Sequence, residues 1–374
     1  MPKELVMHVK SKSWVAVSFI ASALLLASVQ AGAADCEAPT VEASADPHVQ
    51  ALAAAAVAWF ESLDPALAER VAYCLGEEEM YSWTNVPGKR SGGIEFREMT
   101  RDQQKLAWDL LRLFLSEEGF AKARLITTEI TQVARAAPVG SHTLVMFGSP
   151  ATSGAWGFQL DGHHLALNFL VQASDVILAP AFLGTQPLSV NGQAPLRDEA
   201  QLGRELITKL NKAERSLAKQ DDTISLDVIV GSGRGQQDRG RNYDVTMFDG
   251  IGLPLNQLSK AAADVVQDLI VEYVHTLGSP FANRVQDALD LASNDGFVVY
   301  DERGQDIYYR IYLPDRLLIE YNDVDETHVH TVMRLLGANA LSDYGQYAAR
   351  SDRAVTIAAH FANAAHHQLM QPVE

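Results

Sequence analysis

Cysteine and basic residues are scarce in this sequence of 374 residues. Two cysteines are too few for a Cys-based zinc cluster or for a small scaffold held by many disulfides. Lysine and arginine number 30 against 47 aspartates and glutamates, which gives a formal net charge of -17. Because such an acidic protein repels phosphates, we expect no nucleic-acid partner and no binding to anionic lipid surfaces.

Several catalytic motifs are also absent. The sequence has no His-Glu-x-x-His helix motif and no Gly-x-Ser-x-Gly elbow, which disfavours the zincin and serine-hydrolase classes. What is present is a globular composition, with 47% hydrophobic and 21% charged residues. The length is that of one large domain or two smaller ones.

The first 33 residues have the pattern of a secretory signal peptide. Three lysines among the first 12 residues precede an apolar run over residues 14–29, and Ala31-Gly32-Ala33 offers the small residues of a cleavage site. We expect a periplasmic or secreted protein without a stable membrane anchor; the alternative is an anchoring helix. In an oxidising compartment, Cys36 and Cys74 are expected to form a disulfide, with two free buried thiols as the alternative.

An internal repeat divides the remaining chain near residue 190. Residues 34–190 and 191–374 each run through a short helix, a loop, a capped long helix, further helix and a hairpin. Thr100 and Ser259 stand at the N-cap positions of the two long helices. The sequence therefore predicts an α+β fold of two pseudo-repeated units, each with helices followed by an antiparallel hairpin or sheet, in one compact domain or two closely packed ones.

The first hairpin contains adjacent histidines. Asp161-Gly162 is a typical two-residue turn, which would place Leu160 opposite His163. Alternation along the strands then separates two faces. The apolar face would carry Trp156, Phe158, Leu160, His163, Leu165 and Leu167; the polar face would carry Gln159, His164 and Asn168 above the small residues Gly157 and Ala166. We expect Gln159, Asn168 and Trp156 to bind a cofactor or ligand.

The second hairpin leads into a His-x-His pair. We expect it to turn near Pro314-Asp315, and His328 and His330 then share one face of the next strand. Two imidazoles in this arrangement form half of a site for zinc, copper or iron. A histidine from the first hairpin would complete it, provided that the two hairpins meet.

We expect a divalent metal, zinc before copper or iron, and the expected ligands are His163, His164, His328 and His330, with His163 either a fourth ligand or a neighbour of the other three. Glu320 and Asp161 are candidate bases or carboxylate partners of the metal, and Arg334 is a candidate contact for a substrate anion. Hydrogen bonding of these histidines to an organic ligand, without a metal, and purely structural roles are the alternatives.

These residues resemble an uncharacterised family defined as domain of unknown function 3500. The similarity extends over residues 57–347, and the matching stretches are residues 99–104, 147–150, 156–159, 161–164, 168–169, 180, 182–184, 319–321, 328–332 and 334. The chain departs from the family pattern at Met333 and Leu335, which stand where a Trp and an Asp are usual, and at Leu313, which replaces a Gly. The resemblance implies an exported setting and brings no activity with it.

Together these features lead to one main hypothesis. The chain is expected to be an exported metalloprotein, a hydrolase that activates water on a His-bound metal and acts on a small-molecule substrate. A non-enzymatic periplasmic protein that binds a metal or a small ligand is the second hypothesis. An oxidase or oxygenase with copper or iron at the same histidines is the third.

Overall fold

A computed structural model describes residues 44–88, 90, 92–150, 154–221, 228, 248–289 and 295–336. The strands are β1 Ala72–Tyr73, β2 Ile94–Glu95, β3 Thr143–Phe147, β4 Ala155–Gly162, β5 Leu165–Gln172, β6 Asp175–Thr185, β7 Leu253–Pro254, β8 Phe297–Arg303, β9 Asp306–Leu313, β10 Leu317–Asp325 and β11 His328–Leu335. The signal-peptide prediction and Cys36 lie outside the described residues, so cleavage and the disulfide stay predictions.

The helices fall in the segments between these strands. They are α1 Pro47–Glu61, α2 Pro65–Val71, α3 Arg101–Phe114, α4 Glu117–Leu125, α5 Thr131–Ala134, α6 Arg197–Lys209, α7 Lys212–Ala218, α8 Lys260–Val274 and α9 Phe281–Ala288. The π-helical turn Ile126–Ile130 joins α4 to α5. Within the described ranges, none of these helices has the length and apolar character needed to cross a membrane.

Both predicted helix starts are in place, but their chemistry differs. The Thr100 hydroxyl accepts the N–H of Gln103, whose side chain in turn accepts the N–H of Thr100, and this reciprocal pair starts α3. Ser259 precedes α8, yet its side chain makes no capping bond; its hydroxyl lies 3.4 Å from a Glu214 carboxylate oxygen. A carboxylate from α7 therefore takes the Ser259 hydroxyl away from the α8 backbone.

All eleven strands belong to one mixed sheet. Its order is β1-β3-β4-β5-β6-β11-β10-β9-β8-β7, with β2 paired to β3, and the β1–β3 pair is the parallel one. The α+β prediction is confirmed. The repeat of two units stays a prediction, as does the boundary near residue 190. The sheet is continuous through the antiparallel β6–β11 pair, which joins a strand from each half of the chain.

One face of the sheet packs against helices. The Trp59 ring of α1 meets Phe158 edge-on at 5.4 Å between centroids, and Phe114 of α3 stacks on Phe169 at 4.3 Å. In the second half, the Tyr273 hydroxyl of α8 lies 2.8 Å from that of Tyr309. We call this the helical face. It forms the main hydrophobic core.

The opposite face carries the polar residues of the central strands. At its centre, Trp83 packs with Ala166, Phe182, Val228 and Val332 in a small apolar cluster. We call this the polar face. Because side chains alternate along a strand, each polar-face residue is flanked by two that enter the helical core.

Candidate metal centre

The first hairpin turns at His163-His164, two residues later than predicted. Gly162 pairs with Leu165, and Leu160 lies opposite Leu167 rather than His163. The predicted Asp161-Gly162 turn is therefore wrong. His164 occupies the left-handed region with φ 61°, a conformation that a tight turn requires.

A buried ion pair explains why Asp161 stays in the strand. Its carboxylate accepts a hydrogen bond from the Arg90 guanidinium and another from the backbone N–H of Thr84 at 3.3 Å. Burial raises the pKa of Asp161 to about 6, with Arg90 acting in the opposite direction. A turn at this residue would expose the carboxylate and break the pair. Asp161, a predicted base or metal partner, instead fixes the segment around Thr84 to the polar face.

The second hairpin follows the prediction. Strands β9 and β10 pair up to Leu313 and Leu317, so the turn spans residues 314–316 and includes Asp315 at φ 57°. His328 and His330 lie on β11, where alternation puts both on the polar face. His330 pairs with Asn322 and with Gly184 on its two sides.

Three of the four predicted metal ligands converge. Ligand nitrogens of His164, His328 and His330 all lie within 4.8 Å of one another, and the Nε2 atoms of His164 and His328 are 2.9 Å apart. The two hairpins therefore meet at this point, as the hypothesis requires. The β6–β11 pair brings them together, because the turn of the first hairpin lies beside the end of β6 and the His-x-His pair begins β11.

Gly184 provides the space for two of these rings. A Cβ atom at this position would lie 2.9 Å from Cδ2 of His330, 3.1 Å from Cδ2 of His164 and 3.0 Å from the Val329 carbonyl oxygen. The N–H of Gly184 donates to the His164 carbonyl at 2.7 Å, and the N–H of His164 donates to the Asn85 carbonyl at 3.1 Å. The left-handed His164 is thus held by its backbone on both sides.

The histidines of the first hairpin are kept neutral. Burial lowers the pKa of His164 first, and the neighbouring His163, His330, His328 and His142 lower it further. Burial also lowers the pKa of His163. Neutral imidazole is the form that binds metals, so this environment prepares a ligand without the need to remove a proton first.

His163 lies beside the group formed by His164, His328 and His330 and is not part of it. Its ring stacks on that of His164 at 4.1 Å between centroids, and its Nδ1 is 3.4 Å from the Thr131 hydroxyl. Nε2 of the fully buried His142 lies 2.9 Å from the His163 carbonyl oxygen. The position of His163 matches that of a neighbour that orients a ligand.

The predicted cofactor-binding residues are separated by the sheet. Gln159 and Asn168 face each other on the polar face, where their amide nitrogens donate to the carbonyls of Met80 at 2.7 Å and Pro180 at 2.6 Å. Trp156 lies on the helical face and is buried in the core, 5.9 Å from the ring of Phe114. Gln159 and Asn168 therefore bind the backbone of a loop and of a neighbouring strand, and Trp156 is a core residue that packs against the helices.

Glu320 and Arg334 are buried on the polar face. The Glu320 carboxylate accepts the Tyr308 hydroxyl at 2.7 Å. In the ladder Glu320 lies opposite Val332, so it is a diagonal neighbour of His330. Arg334 has no exposed surface, and its guanidinium carbon is 5.8 Å from the centroid of the Trp83 ring. Neither side chain reaches the surface in this conformation.

One carboxylate near the histidines was missed. Asp325 pairs with His328 across a β-bulge in β10, and hydrogen bonds from Thr327 lower the pKa of its carboxyl, with His328 and His330 acting in the same direction. Unlike Glu320, Asp325 is exposed. Its position depends on the bulge, which the spacing of the sequence does not reveal.

Comparison with protein families matches residues 45–346 to the model of a protein family of unknown function, DUF3500. The chain belongs to the DUF3500 family. The three converging histidines, His163 and Gly184 all lie inside the matched range. Neither the comparison with curated proteins nor that with solved structures finds a match. The site of this DUF3500 member must therefore be interpreted from its own chemistry.

Proposed function

We propose that this DUF3500 protein is an exported metalloprotein, a hydrolase with a divalent metal ion bound by His164, His328 and His330. The observation that carries the proposal is the convergence of three ligand nitrogens, within 4.8 Å of one another, from two hairpins far apart in sequence. Imidazoles that converge from separate hairpins, two of them on buried residues, are more typical of metal ligands than of surface histidines.

The spacing of the nitrogens fits a metal ion. Two nitrogens bound tetrahedrally to zinc at about 2.0–2.1 Å lie roughly 3.3 Å apart. The His164 and His328 Nε2 atoms, at 2.9 Å, need to separate by only a few tenths of an ångström. Three protein ligands leave a coordination position for water, and a metal ion in such a site lowers the pKa of bound water to about 7.

The surrounding side chains would then have separate roles. His163 would orient the His164 ring by stacking on it. Asp325, exposed and paired with His328, is better placed than the buried Glu320 to exchange a proton with a substrate or with solvent. Glu320 and Arg334 lie buried further along the polar face, so Arg334 would contact a substrate anion only after a change of conformation that exposed its guanidinium.

The choice of metal rests on the donor set. Among the described residues, the converging group contains imidazoles alone, and imidazole suits zinc, copper, iron and nickel. Zinc fits hydrolysis, whereas copper or iron would fit an oxidase or oxygenase. Visible absorbance of the purified protein separates these, because the filled d-shell of zinc gives no colour.

A non-enzymatic metal carrier is the second candidate. It is favoured by the burial of His164 and His330, which are 4% and 8% exposed and leave the partly exposed His328 as the most accessible ligand. Hydrolysis of ester and phosphoester substrates by the metal-loaded protein, lost together with the metal, would support the enzyme. Stoichiometric metal without any turnover would support the carrier.

Elemental analysis tests the site itself. The protein is purified without a His tag, beside a His328→Ala/His330→Ala variant and a His48→Ala/His275→Ala control that removes two histidines outside the group. We expect about one metal ion per chain in the wild type and the control, and loss of the ion in the first variant. Metal-free wild-type protein, folded by circular dichroism and expressed with added metal, would refute the proposal.

Export and the internal repeat complete the proposal. We infer that residues 1–33 are removed as a signal peptide, which N-terminal sequencing of the periplasmic protein tests. The repeat is supported by two runs of the same order. The first is β2, a 3-10 turn and α3, followed by the antiparallel strands β3 to β6; the second is β7, a 3-10 turn and α8, followed by β8 to β11. The histidines would then lie where the two units join.

A further inference from the structure

A cavity lies on the helical side of β11, the strand that carries His328 and His330. Its volume is about 330 Å³, at the lower end of the range for small-molecule sites. The floor is formed by the buried sheet residues Thr185, Tyr321, Asp323 and Val329. One wall is helix α6, which contributes residues from its first two turns.

Two arginines of α6 give the cavity a positive charge. Arg197 and Arg204 both line it, against one carboxylate, that of Asp323. Arg204 is fixed in place, because it donates to Asp323 Oδ2 at 3.1 Å and to the Gln305 carbonyl. The lining therefore carries one more positive than negative charge, in a chain whose formal net charge is -17.

Arg197 is the cation without an acidic partner. In the described part of the chain it makes one hydrogen bond, to the Gly192 carbonyl at 3.1 Å, and no ion pair. Its remaining guanidinium N–H groups are available at the rim. A guanidinium presents its donors in a planar fork that matches a carboxylate with two parallel hydrogen bonds.

The rest of the lining is largely apolar. Leu188, Ala194, Leu196 and Ala200 line the cavity beside the polar Gln201; Leu188 is 39% exposed, whereas Leu196 is buried. A ligand with an apolar body in the cavity would remove part of the exposed Leu188 surface from water. The cavity thus offers an apolar surface next to two cations, Arg204, which is held by Asp323, and Arg197, which has no acidic partner among the described residues.

We propose that this cavity binds a small organic carboxylate with an apolar body, its carboxylate on Arg197 and its body against Leu188 and Leu196. Among anions, inorganic phosphate would satisfy the arginine and leave the apolar wall uncovered. The site is independent of the proposed metal centre: Val329 lines the cavity, while its neighbours His328 and His330 project from the other face of β11.

Isothermal titration with hexanoate tests the proposal, with hexanol, hexylammonium and inorganic phosphate as comparison probes. We expect saturable binding of hexanoate that exceeds that of each comparison probe. Arg197→Gln should weaken hexanoate binding about tenfold or more, the value of a charge-assisted hydrogen-bonded pair. Ala194→Trp should abolish it by filling the cavity.

Two controls make the result specific. Arg101→Gln removes an exposed arginine outside the cavity and should leave hexanoate affinity unchanged. The His328→Ala/His330→Ala variant should also retain the binding, which separates this site from a carboxylate bound to the metal. Absence of saturable hexanoate binding, equal binding by Arg197→Gln, or a preference for phosphate would overturn the proposal.

Discussion

Replacement of Gly184 by alanine tests the geometry of the candidate metal centre most directly. The added Cβ would lie 2.9 Å from His330 and 3.1 Å from His164, both at Cδ2, and 3.0 Å from the Val329 carbonyl oxygen. Real Cβ atoms essentially never approach other atoms below 3.0 Å. The carbonyl belongs to the sheet backbone and is the least able to move, so the His330 ring has to shift and the His164 ring is crowded.

The loss of metal affinity expected for Gly184→Ala depends on how far the two rings can move with and without a bound metal ion. In the metal-free protein the rings can shift by a few tenths of an ångström, which is enough to relieve the contact with the new methyl group. A bound metal ion would hold both rings in place, so the overpacking, typically about 1–3 kcal/mol, appears as lost affinity. This energy corresponds to a weakening of metal binding by roughly 5- to 150-fold.

Competition titration with a chromophoric chelator measures this affinity. Val266→Ala, a core truncation in α8 on the helical face, serves as the control for a general loss of stability. We expect Val266→Ala to lower the unfolding midpoint and to keep the metal affinity. If Gly184→Ala bound the metal as tightly as the wild type, the rings next to Gly184 would not be ligands and the site would have to be abandoned.

Two further predictions concern stability. Burial lowers the pKa of His142 to about 4, so the unfolded state, with a pKa near 6.5, binds more protons between these pH values. The unfolding free energy should therefore fall by about 3 kcal/mol, from this group, as the pH falls from about 6.5 to 4. In urea unfolding at several pH values, the free energy of His142→Gln should depend less steeply on pH than that of the wild type. An equal dependence on pH would contradict the reasoning. Arg90→Met leaves the Asp161 carboxylate buried without its cation and should cost about 3–5 kcal/mol in urea unfolding. Arg70→Met, which breaks the more exposed pair with Glu98, should cost at most about 1 kcal/mol, and similar losses for the two variants would count against a special role for burial.

The sequence predicts the faces of the strands better than their turns. Leu160 was expected opposite His163 and lies opposite Leu167, four residues further along. Since four is an even number, every strand residue keeps its predicted face, and Gln159 and Asn168 are on the polar one. Faces depend only on alternation, which the sequence displays directly.

The turn and the site depend on contacts that local patterns do not contain. Asp161 stays in the strand because of Arg90, which is 71 residues away in the chain. His164 meets His328 across 164 residues, through the pairing of β6 with β11. The spacing of the histidines predicts one half of the site. The other half requires knowledge of which strands become neighbours, and the role of Gly184 follows only from that pairing.

The position of β11 has a consequence for how the chain folds. It is the last strand among the described residues, yet it lies in the middle of the sheet, between β6 and β10. Until it arrives during synthesis, residues 181–185 of β6 form an open edge, a template on which another chain could aggregate. The backbone of β11 closes this edge and at the same time brings His328 and His330 to His164, so metal binding at the proposed site would report that the sheet is complete.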